Sequence, residues 1–68
     1  MDNLQEKKSL DTKMLAIMEE QLDQEAILFK KYLNAAEKVY DAEIKSIFLQ
    51  ASKDHKHNYE SLLTYLKS

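Results

Sequence analysis

Residues 33–48 read LNAAEKVYDAEIKSIF, and how this stretch is taken decides the fold. Asp41 is a good helix N-cap, because its short carboxylate can accept from backbone N–H groups that have no partner in the first turn. Ala42 and Glu43 follow it, and an acid there suits the positive end of the helix dipole. A second helix therefore starts at 42. Yet Tyr40 to Ile44 is a step of four, so the apolar phase is not lost at the join. That phase is the chain's dominant signal. Leu15, Met18, Leu22, Ala26, Phe29, Leu33, Ala36 and Tyr40 run up to the join by steps of three and four. Ile44, Phe48, Ala51, His55, Tyr59, Leu62 and Leu66 continue beyond it. Such steps place residues on one face of an α-helix.

Two architectures fit. One is a single helix of some 55 residues, roughly 80 Å long at 1.5 Å per residue, acting as a coiled-coil spacer or adaptor. The other is an all-α antiparallel hairpin. The mean apolar step is nearer 3.6 than the 3.5 of a sustained coiled coil, and helices that long are rare in small proteins. The spacing thus favours a hairpin with a helix over about 11–39, a turn at about 38–41 and a helix over about 42–66. Residues 1–10, polar and weakly periodic, read as a flexible segment preceding a hairpin over 11–68; Asn3, Ser9 and Asp11 are candidate N-caps. Hinging near 38–41 sets side by side residues whose numbers sum to roughly 81. Leu22 falls level with Tyr59, Phe29 with Ala51 or Ser52, and Leu33 with Phe48.

Composition bounds the rest. With 68 residues the chain makes one domain, near the size where a single core is marginal. It contains no glycine, proline, cysteine or tryptophan, so helix breakers, disulfides and thiolate metal sites are all excluded. Flanking apolar residues such as Ile17, Ile27, Leu28 and Ile47 widen the stripe beyond what one partner helix covers. Pairing of two hairpins into a homodimeric four-helix bundle is the expected remedy. Ten lysines interleave with twelve acids, net −2, which leaves no basic face for nucleic acid. No apolar run approaches a membrane span and no leader is evident, so a cytoplasmic protein is expected.

His55 is the position richest in chemistry. It sits about 20° from the centre of the apolar face, level with Glu25 at the edge of the first helix's stripe. In a two-fold dimer, two Glu25 and two His55 could converge as ligands for iron, manganese or zinc. The alternative is a boundary histidine hydrogen-bonded to Glu25 or Tyr59. Asp54 and His57 have the spacing of a carboxylate–histidine pair on one helix face, but the same rotation turns His57 toward solvent. Without glycine there is no phosphate loop, and no serine belongs to a recognisable triad. A non-catalytic role is expected.

Residues 25–66 also resemble half of a ferritin-like bundle, as in rubrerythrin-like domains and the spore coat F family. The likeness rests on Glu25-Ala26 with Tyr32 seven residues beyond the glutamate, Ala35-Ala36, and Asp41-Ala42-Glu43-Ile44-Lys45. Phe48, Ala51, a histidine and Leu62-Leu63-x-Tyr65-Leu66 complete it. The resemblance implies a hairpin whose two copies form an antiparallel four-helix bundle, and in spore-forming bacteria a spore-associated role. Di-iron members use a glutamate on one helix and Glu-x-x-His on the next. Glu25 matches the first; with His55 as the histidine, Ser52 stands in the glutamate's place, and with His57, Asp54 does. The connection is shorter than in rubrerythrin and lacks its glycine. A coat F-like scaffold without metal chemistry is what these departures fit.

Overall fold

A computed structural model of the chain describes residues 11–67. It contains two helices, α1 (Thr12–Lys38) and α2 (Ala42–Lys67), folded back on each other as an antiparallel hairpin. The reading as one long helix is thereby set aside. The N-cap candidates Asn3 and Ser9 and the segment 1–10 lie outside the described residues. Among those residues no strand occurs, and no helix is long and apolar enough to cross a membrane.

Both helices begin on an aspartate. Asp11 Oδ1 accepts from the Met14 amide at 2.7 Å, and Asp41 Oδ1 accepts from the Ile44 amide at 2.9 Å. Their backbone carbonyls accept from Leu15 and Lys45, closing each first turn. The chain reverses over residues 39–41 without any positive φ, which is why no glycine is needed. Val39 is extended (φ −96°, ψ 145°) and ends α1. Lys45 then reaches across the reversal, its Nζ donating to the Ala36 carbonyl at 2.6 Å. A lysine at that point satisfies a carbonyl that the ending helix leaves without an amide partner. The weak ion pair that Lys45 could make with Asp41 one turn earlier is replaced by this bond.

The predicted register holds. Ser52 Oγ donates to the Phe29 carbonyl at 2.8 Å, and Lys45 meets Ala36 at the same pairing sum. Small side chains make the closest approach possible: Ala36 and Ser52 are buried, and each lets the opposing backbone come near. Around them Tyr32 packs on Phe48 (centroids 5.9 Å apart) and Phe29 meets Tyr59 edge-on at 6.2 Å.

The seam is rotated from the predicted stripe. Leu33, expected against Phe48, is 42% exposed, and Phe48 takes Tyr32 instead. Leu15, Tyr40 and Ile44 also lie exposed. Glu25, expected at the stripe's edge, is buried at its centre, 6% exposed. The cause is geometric. Two helices touch along a narrow line, and the apolar arc is broader than that line, so the arc's middle need not face the intramolecular partner.

Candidate functional site: a buried glutamate–histidine pair

Glu25 lies on the inward face of α1, one turn beyond Gln21 and one turn before Phe29. Its carboxylate is fully engaged. Oε1 is 2.6 Å from His55 Nδ1 on α2, and Oε2 accepts from Gln21 Nε2 at 2.8 Å and more distantly from Asn58 Nδ2 at 3.4 Å. The ring of Tyr32 lies flat on the His55 imidazole, centroids 5.7 Å apart and planes 7° from parallel. Lys31 in turn lies over the Tyr32 ring, 5.9 Å from its centre.

The hydrogen bond from His55 holds the Glu25 carboxyl below its ordinary value near 4.5. Burial pushes the other way, and the Gln21 and Asn58 amides add to the lowering. The carboxyl is therefore ionised at neutral pH. An ionised carboxylate only accepts, so His55 Nδ1 carries a hydrogen and donates it. In the neutral ring this tautomer leaves the Nε2 lone pair open. A carboxylate fixing an imidazole through Nδ1–H is the arrangement that orients histidines as bases and as metal ligands through Nε2. The His55 side chain is 28% exposed, neither sealed in the core nor free in water.

The sequence paired Glu25 with His55, and the structure joins them. Asp54 and His57 are not joined. Asp54 accepts from Gln50 Nε2 at 2.9 Å, while His57 is exposed beside Glu60, Ser61 and Thr64. Among the described residues, no three histidine, aspartate or glutamate side chains gather to hold a metal within one chain. Glu25 and His55 alone offer a metal two donors that are already bonded to each other.

Gln21 and Asn58 are the members that sequence reading passed over. Their signals were present: Gln21 stands four residues before Glu25 on one helix face, and Asn58 falls close to Glu25 in the hairpin register. Uncharged amides near an apolar stripe look like ordinary surface residues until a buried carboxylate requires donors.

Set against known protein families, curated proteins and solved structures, the chain finds no significant match to any.

Proposed function

We propose that this chain is a non-catalytic structural or interaction protein, a ferritin-like hairpin that pairs with a second copy into a four-helix bundle. The observation that carries this reading is the poverty of its own core. Among the described residues only Ala36, Glu25 and Ser52 are buried, and two of those three are polar. Met14, Ile17, Ile27, Ile47 and Leu49 remain exposed to nearly half or more. A folded domain gains most of its stability from apolar burial, about 25 cal/mol per Å², and one hairpin gains little. A bundle of two would gain several kcal/mol, on the order of a small domain's whole stability.

The resemblance to the coat F family supports the same assembly and makes a spore-associated scaffold the most specific form of the proposal. Sedimentation equilibrium of the full chain is the test. A two-chain mass supports the reading; a compact, helical monomer at micromolar concentration ends it. Elemental analysis of protein prepared without a chelating tag tests the second part. Stoichiometric iron, manganese or zinc that disappears with His55→Ala would replace the structural reading with a metal-binding one. That second reading draws on the Nδ1-anchored histidine.

A further inference from the structure

The hairpin has two flat faces, and they differ in chemistry. One carries a shallow groove lined by Phe29, Leu33 and Leu49, with Lys53, Lys56 and Gln50 at its edge. On the other lie the Tyr32–His55 stack and Phe48. A rotation of about 100° per residue places Ile17, Leu28 and Ala35 of α1 on this second face. Ile44, Ala51 and Leu62 of α2 join them by the same rotation. Among the described residues no charged side chain falls within it by this rotation except Glu25, which lies beneath His55; Lys31 stands at its rim, as does Lys13 five turns earlier.

We propose that the second copy docks on the Tyr32–Phe48–His55 face, with a two-fold axis that brings both Glu25–His55 pairs into one layer at mid-height. The proposal rests on the pairing argued above and specifies which surface performs it. Three features choose a second copy as the occupant. The first is position. Glu25 lies thirteen residues from Thr12 and thirteen from Lys38, and His55 thirteen from Ala42 and twelve from Lys67. Any fully overlapping two-fold pair, its axis along the helices or across them, therefore sets these residues level with their copies. The second is complementarity. With its imidazole neutral, His55 offers the layer an acceptor, Nε2, and the remaining amide hydrogens of Gln21 and Asn58 are donors. One copy's acceptor can thus be met by the other copy's donor, whereas an apolar partner would leave these groups unpaired at a cost. The third is area. Two helices of 27 and 26 residues, about 40 Å long and together about 20 Å wide, present about 800 Å². A stable interface needs about that much per partner. The opposite face keeps its lysines in solvent.

Ile17 and Ile44 are 51% and 44% exposed in the hairpin, and Leu33 and Leu49 are 42% and 46% exposed, so glutamate at each leaves the isolated chain's packing nearly intact. Sedimentation equilibrium should show the dimer of Ile17→Glu and Ile44→Glu weakened about tenfold or more, with Leu33→Glu and Leu49→Glu close to the native chain. Should the first pair lose helicity on dissociating, thiol footprinting gives the same answer. The chain has no cysteine, so Ala51→Cys and Ser46→Cys each report one face. On raising protein concentration through the dimer transition, Ala51→Cys should become slow to alkylate while Ser46→Cys stays fast. A native dimer with the reverse pattern, or with both thiols equally protected, overturns the face and leaves the pairing standing. A monomeric native chain overturns both.

Discussion

At the scale of single residues the decisive contact is the 2.6 Å bond between Glu25 and His55. Its members need each other more than the fold needs either. His55→Leu leaves the buried carboxylate with two amides, one of them 3.4 Å away, and should destabilise the protein by about 2–3 kcal/mol. Adding Glu25→Leu should recover part of that loss, because it removes the buried charge that has lost its partner and an apolar pair fills the seam. Chemical denaturation of the two single variants and the double variant checks this; strictly additive losses would refute it. The same bond predicts an acid limb. Glu25's carboxyl titrates lower in the folded chain than its ordinary value near 4.5, so folding favours the ionised form. That stabilisation is complete above the unfolded value and disappears as pH falls through the folded one. The melting-temperature gap between the native chain and Glu25→Gln should therefore hold at pH above the ordinary carboxyl value near 4.5 and close progressively as the pH is lowered beneath it. A gap that persists to full acid unfolding would contradict it.

At the scale of the helices, the two aspartate caps and the small residues Ala36 and Ser52 do what turn glycines and a large core do elsewhere. Asp41→Ala should lower stability by about 1 kcal/mol through loss of the Ile44 amide's acceptor. Ser52→Leu should lower it by about 1–3 kcal/mol by forcing α2 off the Phe29 carbonyl. Leu33→Ala, at an exposed position, should change it by less than about 0.5 kcal/mol. Thermal melts of the three rank them, and a large loss at Leu33 would return the seam to where the apolar stripe alone puts it. That contrast marks how far the letters carry. Asp41 and the level of Phe29 with Ala51 or Ser52 could be read directly, since capping chemistry is local and an antiparallel turn fixes which levels meet. The rotation of each helix could not. Leu33 and Tyr40 share the phase of Phe29, yet the helices touch instead along Glu25, Tyr32 and Ala36. Close approach at Ala36 and Ser52, and the hydrogen bonds available to a carboxylate at 25, decide that angle, and hydrophobicity does not register either.

For the whole molecule, the proposed pairing would couple folding to association. Among the described residues only three are buried, little to set against roughly 1–2 kcal/mol of backbone entropy for each residue ordered. On the proposed pairing, much of the stability comes from the surface that a second copy covers. For an equilibrium between a folded dimer and two unfolded chains, each tenfold rise in protein concentration favours the dimer by about 1.4 kcal/mol. The melting midpoint should accordingly climb by a few degrees per decade of concentration, and dilution below the dissociation constant should lose helicity together with mass. Circular dichroism melts over a hundredfold concentration range measure this without any substitution. A midpoint that stays flat across that range would mean that a single hairpin holds itself together. The exposed isoleucines at 17, 44 and 47 would then need a covering other than a second copy of the chain.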